Sequence, residues 1–147
     1  MKKLLFALTL ILATTAFVAC SDDDDDVKVT VNDLPENAQE FLITYFPGQE
    51  ARLVEKDNDS YDVYLKNGFD IDFTLDGVWD DVDGNGTALP PSVIDLVPVA
   101  IPDYVTANYA GQNITEINKE TFGFEVELTN RTELEFDKDG NFLRIDK

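Results

Sequence analysis

The sequence predicts an α+β protein with two tandem units, each a helix followed by a four-stranded antiparallel sheet, and with the helices packed on one sheet face. Residues 34–83 and 97–146 align at a single offset of 63 without a gap. In each copy, apolar residues at helical spacing precede segments in which apolar and polar residues alternate. Asp76-Gly77 and Asp139-Gly140 are typical of tight hairpin turns. Because the copies share mainly apolar and turn positions, the repeat indicates a fold rather than a reaction.

The first unit, residues 33–86, begins with a predicted helix from about residue 35 to residue 46. Asp33 is placed to cap this helix, Pro35 to occupy its first turn, and Glu36 to complete a capping-box pattern. The apolar stripe at spacings of three and four residues comprises Ala38, Phe41, Leu42 and Tyr45. Pro47-Gly48 then ends the helix.

The second unit, residues 87–147, repeats the helical pattern with prolines inside it. We expect two short helices there, over residues 92–97 and 99–109. Proline in a helix interior removes a backbone hydrogen bond, so a break is predicted near Pro102.

Strands follow each helix. Alternation predicts them at residues 51–55, 61–65, 69–75 and 78–82 of the first unit, and at 114–118 and 141–145 of the second. In the first strand of each unit the apolar residues are three apart, which indicates a β-bulge.

The turn between the second and third strands is predicted to have three residues, 66–68. Leu65 must lie opposite Phe69 if the apolar side chains of both strands are to share one face. Gly68 then adopts the left-handed conformation. Arg131 occupies the equivalent position of the second unit, where the turn is less well defined by the sequence.

Residues 1–19 have the pattern of a secretory signal peptide, with two lysines before an apolar run. Phe17-Val18-Ala19-Cys20 resembles the lipobox of bacterial lipoproteins, which implies that Cys20 is lipidated and attaches the protein to a membrane. Plain secretory cleavage, with Cys20 left as a thiol, is the alternative.

Residues 20–32 are predicted to be the lipidated cysteine and an acidic tether. The run 22–26 consists of aspartate alone and cannot collapse into a core. Ser21 and these acids resemble the export signal of surface lipoproteins in some Gram-negative bacteria. That resemblance implies an outer-membrane lipoprotein exposed at the cell surface, and a periplasm-facing anchor is the alternative.

The charge of the chain restricts its partners. The formal net charge is −19 at pH 7. This sign disfavours nucleic acid, whose phosphates select basic proteins. Basic proteins, cationic peptides and metal ions are the electrostatically suitable partners.

The residue types present also restrict the chemistry. The chain has no histidine and one cysteine, so Ser-His-Asp and Cys-His nucleophiles and zinc sites built on these residues are excluded. A hydrolase with paired carboxylates is formally possible, but a small sheet covered by helices offers no evident cleft. We therefore expect a protein that is not an enzyme and has no cofactor.

One segment matches the first half of a calcium-binding loop. Asp81, Asp83 and Asn85 supply oxygen ligands at positions one, three and five, and Gly86 stands at position six. Position twelve is Ser92 instead of a bidentate glutamate. An ordinary linker between the units, for which the same residue types are suited, is the favoured alternative.

The second candidate site is the sheet face that is predicted to point away from the helices. Its expected members are Asp62, Tyr64, Asp70, Asp72, Glu125, Glu127, Glu133 and Glu135, together with Trp79 and Phe142. Like charges on neighbouring strands are unfavourable, whereas carboxylates around aromatic rings suit a cationic partner. A solvated face without a partner is the alternative.

Several segments carry a resemblance to a known family. They are Leu34-Pro35, residues 45–48, 61–68 and 76–79 in the first unit, and Val97-Pro98, residues 108–111, 124–128 and 137–142 in the second. The chain resembles the PepSY-like domains, which are similar to β-lactamase-inhibitor protein and occur as secreted repeats in Gram-negative bacteria. The resemblance implies tandem helix-plus-four-strand units with a binding or inhibitory role, and it supplies no catalytic residue.

We therefore expect a lipid-anchored, non-enzymatic binding module that presents its open sheet face to a protein or a cationic peptide. Inhibition of a peptidase or another enzyme is one form that this binding could take. A calcium-binding or calcium-stabilised surface protein is the alternative function.

Overall fold

The computed structural model of the protein describes residues 26–146, which form one antiparallel sheet of nine strands and a set of helices. The strands are β1 Val27–Lys28, β2 Ala51–Lys56, β3 Ser60–Leu65, β4 Asp70–Thr74, β5 Trp79–Asp83, β6 Ile114–Lys119, β7 Gly123–Leu128, β8 Glu133–Asp137 and β9 Phe142–Asp146. The helices are a 3-10 turn Val31–Asp33, α1 Glu36–Tyr45, α2 Pro91–Ile94 and α3 Ala100–Asn108. Each strand pairs with the next one in the chain.

The predicted α+β class agrees with this architecture, but the strands lie in a single sheet rather than in two. The link is the antiparallel pairing of β5 with β6, in which Val82 lies opposite Ile117. Both side chains are completely buried. The Gly84 N–H donates to the Thr115 carbonyl at 2.8 Å and continues the pairing beyond the strands. The apolar core therefore runs without interruption from the first half of the chain into the second.

Helix α1 lies where the apolar stripe predicts it, but its cap differs. Pro35 is the N-cap residue, and no side chain caps the helix. Asp33 instead accepts hydrogen bonds from the Thr30 N–H at 2.8 Å and the Thr30 hydroxyl at 2.7 Å. The predicted capping role of Asp33 in α1 is wrong, because its carboxylate closes the preceding 3-10 turn.

The helices of the second half also differ from the prediction at one point. The break falls between α2 and α3, and Pro102 lies in the first turn of α3 without interrupting it. Proline is tolerated there because the first N–H groups of a helix have no partner within the helix.

The three-residue turn is confirmed. The Leu65 N–H donates to the Phe69 carbonyl at 2.8 Å, and Gly68 has a φ of +94°. Arg131 adopts the same left-handed region with a φ of +64°. Both turns therefore keep the apolar residues of their strands on one face.

The bulges predicted in the first strand of each half are present, between Ala51 and Leu53 and between Ile114 and Glu116. Two further bulges, in β5 and β9, were not predicted. They place Trp79 opposite Phe73 and Phe142 opposite Phe136. Since directly opposed residues share a face, the extra residue in each strand turns both rings toward the helices.

The core lies between the helices and the inner face of the sheet. Phe41 of α1 meets Phe73 edge to face, with ring centroids 5.5 Å apart. At the equivalent position of the second half, Tyr104 of α3 meets Phe136 in the same way at 5.5 Å. The residues predicted to point inward are fully buried: Val63, Ile71, Phe73, Val126, Leu134 and Phe136.

The N-terminal part of the chain is described from residue 26 onward. Val27 and Lys28 form β1 and pair with Lys56 and Glu55 of β2, so the predicted tether of residues 20–32 ends earlier than expected. The signal peptide, Cys20 and the tether up to residue 25 lie outside the described residues. Within residues 26–146 no helix has the length and apolar character needed to cross a membrane.

Candidate functional site

The outer face of the sheet, opposite the helices, carries a row of six carboxylates on six consecutive strands. Antiparallel pairing sets each of these residues directly opposite the next one. We call the row the carboxylate ladder, and its members from β4 to β9 are Asp70, Asp83, Glu116, Glu127, Glu133 and Asp146. No position of this row between β4 and β9 is occupied by a neutral or basic residue.

A second row runs parallel to the ladder, two residues along each strand. Its members from β3 to β9 are Asp62, Asp72, Asp81, Asn118, Glu125, Glu135 and Arg144. Asn118 and Arg144 are the interruptions in this row. The ladder and the second row together form what we call the acidic face.

Eight residues besides Trp79 and Phe142 were predicted to lie on the outer face. The structure places all eight of them there. It adds Asp81, Asp83, Glu116 and Asp146. Asp81, Asp83 and Glu116 join the face through the pairing of β5 with β6, which no single strand indicates, and Asp146 lies at the end of β9, opposite Glu133. The alternation of Asp81 with Asp83 along β5, and the equivalence of Asp146 to Asp83 in the repeat, were the available signals.

Trp79 and Phe142 do not belong to the acidic face, and their predicted outward orientation is wrong. The Trp79 ring stacks on Phe41 of α1 with centroids 6.2 Å apart. The Phe142 ring stacks on Tyr104 of α3 at 4.5 Å. Tyr64 does lie on the outer face, where the Arg52 guanidinium stands 5.6 Å from its ring centroid.

The centre of the acidic face holds three strongly perturbed carboxyl groups. Burial, reinforced by neighbouring carboxylates, raises the pKa of Asp72 to about 7, that of Asp81 to about 8 and that of Glu116 to about 7. The same causes raise the pKa values of Asp62 and Glu125 to a lesser degree. A carboxyl group in such surroundings favours its neutral form because its charge is poorly hydrated and repelled by its neighbours.

Asp81 has an additional feature at the middle of the face. Its Oδ1 atom is buried and has no hydrogen-bond partner. Asp72 lies opposite Asp81 on one side, and Asn118 lies opposite it on the other. A buried oxygen without a partner is unfavourable, so this carboxyl group gains from any proton or cation that reaches it.

Some acids of the face have partners nearby. Arg131 donates to Glu127 at 2.8 Å, and Arg144 donates to Glu135 at 2.7 Å. Asn85 bridges two ladder residues: its side-chain amide donates to Asp70 at 2.9 Å, and its backbone N–H donates to Asp83 at 2.6 Å. These contacts hold the β4 end and the middle of the ladder in place and leave the ladder rich in negative charge.

The calcium loop considered for Asp81, Asp83 and Asn85 does not form as a loop. Asp81 and Asp83 lie in β5, and the Asn85 side chain donates from Nδ2 to Asp70 and to the Gly68 carbonyl. A different group has the spacing for an ion. One carboxylate oxygen from each of Glu125, Glu133 and Asp146 lies within 4.8 Å of the others.

Two grooves of the described residues lie away from the acidic face. The larger, of about 350 Å³, lies between α1, the 3-10 turn and β2, and its lining includes Leu42, Phe46 and Leu65. The smaller groove lies between Val29–Val31 and β2. Neither of these two grooves is lined by an acid, so the paired carboxylates that a glycoside hydrolase needs do not occur in either.

The fold and the acidic face together define a class: a small α+β protein whose single sheet is covered by helices on one side and is open and acidic on the other. The family model described as "Putative beta-lactamase-inhibitor-like, PepSY-like" matches residues 23–69 and 59–144. The chain belongs to this PepSY-like family. A comparison with curated proteins found no match.

Three solved structures from Bacteroides are similar over most of the chain. A "putative calcium-regulated periplasmic protein" of Bacteroides thetaiotaomicron has 36% identity and a TM-score of 0.77, and the match covers 84% of this chain and 98% of that one. Two structures from Bacteroides vulgatus are described as putative periplasmic proteins. One, of the DUF2874 family, has 35% identity and a TM-score of 0.76, and the match covers 85% of this chain and 99% of that one. The other has 32% identity and a TM-score of 0.77, and the match covers 83% of this chain and 99% of that one.

Proposed function

We propose that the protein is a non-enzymatic binding module of the cell envelope whose acidic face binds a cationic protein segment or peptide. The observation that carries the proposal is the carboxylate ladder, which presents six acids in one row. Directly opposed like charges are unfavourable by roughly 0.2–1 kcal/mol per pair. A cationic ligand would relieve that repulsion, whereas a face that only needs hydration gains nothing from such an arrangement.

The perturbed carboxyl groups support the same proposal. Asp72, Asp81 and Glu116 have pKa values near neutrality, so part of their charge is suppressed while the face is empty. Lysine or arginine side chains over these groups would favour the ionised forms and release protons. Binding should therefore be tighter at pH 8 than at pH 6.

The place of action proposed is the outer membrane, with the module attached through a lipid on Cys20. The support is the lipobox resemblance of residues 17–20 and the periplasmic description of the related structures. The family's description also suggests that the bound partner is an enzyme that the module inhibits. Surface exposure of the anchored protein remains part of the proposal.

The binding proposal is tested with a fluorescent lysine-rich peptide and fluorescence anisotropy. The face variant carries Asp70→Asn, Asp83→Asn and Glu116→Gln. The control carries Glu36→Gln, Glu40→Gln and Asp103→Asn, which remove the same number of carboxyl groups from exposed positions on the helices. We expect the face variant to bind about tenfold more weakly and the control to lose less than about threefold.

Equal losses in the two variants would contradict the proposal, because net charge alone would then explain the binding. Crosslinking on intact cells of the source bacterium, repeated with the face variant, would identify the natural partner. A partner recovered equally well by both proteins would not depend on the acidic face.

Calcium binding is the second candidate function, and one observation favours it. Glu125, Glu133 and Asp146 offer three oxygens close enough to share an ion, and a relative with 36% identity is described as calcium-regulated. Ca²⁺ takes six to eight oxygen ligands, so waters or a partner would complete the site. This group replaces Asp81, Asp83 and Asn85 as the candidate ligand set.

Calorimetric titration with CaCl₂ tests this candidate. Wild-type protein should bind the ion, and Glu133→Gln should abolish that binding, while Glu36→Gln on α1 should leave it unchanged. A melting temperature that does not respond to millimolar calcium or to a chelator would remove calcium from consideration.

A further inference from the structure

The edge strand β9 has an unpaired side with exposed apolar residues, which is a second candidate binding surface. Among the described residues β9 has a single neighbour, β8, and it forms one end of the sheet. The repeat offset of 63 makes β9 the equivalent of β5. In β5 the corresponding edge is occupied by β6, so the molecule itself shows what this kind of edge binds.

The two strands have the same local structure. Each contains a bulge after its first residue, which leaves a regular stretch of three residues. In β5 this stretch is Asp81–Asp83, and all three residues pair with β6. In β9 the equivalent stretch is Arg144–Asp146. A bulge is a common protection of sheet edges, but the β5 example shows that this bulge does not prevent pairing.

The exposure of one apolar residue differs between the two edges. Val82 in β5 is completely buried against Ile117 of β6. Its equivalent Ile145 in β9 faces the same side of the sheet and is 47% exposed. Leu143, the extra residue of the bulge, is 48% exposed. The apolar side chain that β6 covers in the first half is thus uncovered in the second.

We propose that the edge at Arg144–Asp146 binds an extended segment of another protein as a tenth, antiparallel strand. By analogy with β6, the bound segment places an apolar residue opposite Ile145. A lysine or arginine opposite Asp146 meets the end of the carboxylate ladder, where Glu133 adds a second negative charge. The preferred ligand is therefore a strand in which a basic residue precedes an apolar one.

A second copy of this chain is a poorer occupant than a separate strand that resembles β6. The edge of its β2, which is the equivalent of β6, is already occupied by β1 through Val27 and Lys28. A strand from a basic partner can pair with β9 without displacing β1.

The probe is a fluorescein-labelled peptide with the sequence of residues 112–120 carrying E116K, which reproduces β6 with a lysine opposite Asp146. Two further versions carry N-methyl groups on alternate backbone nitrogens, in opposite registers. In strand addition one set of nitrogens faces β9 and the other faces solvent. Only one methylated peptide should lose binding.

The protein variant is Ile145→Lys, and the matched control is Leu75→Lys, an apolar residue of similar exposure beside the β4–β5 turn. Ile145→Lys should weaken peptide binding by about fivefold. This ratio of dissociation constants corresponds to the loss of one cross-strand side-chain pair at the upper end of its usual free-energy range. Leu75→Lys should match the wild type. Amide exchange in Arg144–Asp146 should slow when the peptide is bound.

The experiments distinguish failure of the strand-addition proposal from failure of the acidic-face proposal. Peptide binding that tolerates both methylation patterns, or that is lost only in the variant of Asp70, Asp83 and Glu116, would overturn strand addition and leave the face proposal standing. Self-association of the protein, measured by sedimentation and abolished by Ile145→Lys, would show that the edge takes a second copy and would overturn the proposed occupant.

Discussion

Asp81 is the residue of the acidic face whose ionised carboxylate is least favourable in the folded protein. Its Oδ1 is buried without a partner, and burial next to Glu116 and Asp72 raises its pKa to about 8. In the unfolded chain an aspartate ionises near pH 4. Folding therefore favours the protonated form, and this contribution to stability is present below pH 4 and is lost as the pH rises toward 8.

We expect Asp81→Asn to stabilise the protein at pH 9 by on the order of 2 kcal/mol, because the amide keeps the shape and removes the poorly hydrated charge. At pH 4 the variant and the wild type should differ little. Urea unfolding at the two pH values measures the difference. The control is Asp80→Asn at the exposed bulge next to it; equal gains in both variants would argue against a special role of Asp81.

The residue scale also shows where the sequence is insufficient. The parity of alternating strands correctly placed Asp62, Asp72 and Glu125 on the outer face. It failed for Trp79 and Phe142, because one unpaired residue in each strand inverts the parity of the residues on either side of it. The sequence does not distinguish a polar residue that forms a β-bulge, such as Asp80, from one that is paired in a regular strand.

At the scale of elements, α1 and α3 perform the same task with different aromatic residues. Phe41 contacts Phe73 and Trp79, and Tyr104 at the equivalent position contacts Phe136 and Phe142. The rings therefore attach each helix to the bulged last strand of its half. Helix spacing predicted Phe41 as a core residue, whereas its contact with Trp79 depends on the bulge.

Phe41→Ala should destabilise the protein by about 3–5 kcal/mol, the usual cost of removing a buried aromatic ring. Trp79 is the only tryptophan, so its emission should move to longer wavelength as solvent reaches the indole. Ile43→Ala is the control on the same helix, since Ile43 is 72% exposed. Wild-type emission typical of a fully hydrated indole would contradict the packing of Trp79 on α1.

The β5–β6 junction depends on a glycine. A Cβ atom on Gly84 would lie 2.2 Å from the Thr87 carbonyl oxygen and 3.0 Å from that of Thr115. Backbone atoms cannot move aside easily, so Gly84→Ala should cost about 3 kcal/mol or more. Gly48→Ala meets no atom within 4 Å and has a φ of +75°, so it should cost about 1 kcal/mol. Thermal unfolding of both variants measures the difference, and similar losses would rule out the clash.

At the scale of the whole molecule, the joining of the two halves creates the site. The repeat predicted two similar halves, and the six predicted strand ranges lie within one or two residues of β2 to β6 and β9, whereas β1 was not predicted. Nothing in either copy alone indicates that β5 pairs with β6, because that pairing is a contact between elements separated by α2 and α3. The ladder becomes continuous only through the position of Asp83 opposite Glu116.

The net charge of −19 and the two acidic rows lead to a prediction about salt. Raising NaCl from 0.05 M to 0.5 M should increase the melting temperature by a few degrees, because ions screen the repulsion between exposed carboxylates. The variant with neutral residues at 70, 83 and 116 should show a smaller increase. An identical salt response in both proteins would place the repulsion elsewhere in the chain.

The spacing of the ladder has a further consequence for the thermodynamics of binding. Neighbouring strands are about 4.8 Å apart, and two unit charges in water interact with thermal energy at about 7 Å. Ionised ladder residues thus stand close enough to collect a layer of small cations, as the phosphates of a polynucleotide do. A basic ligand that displaces this layer gains the entropy of the released ions. Its association constant should then fall as a power of the salt concentration, with an exponent that reports how many carboxylates it covers.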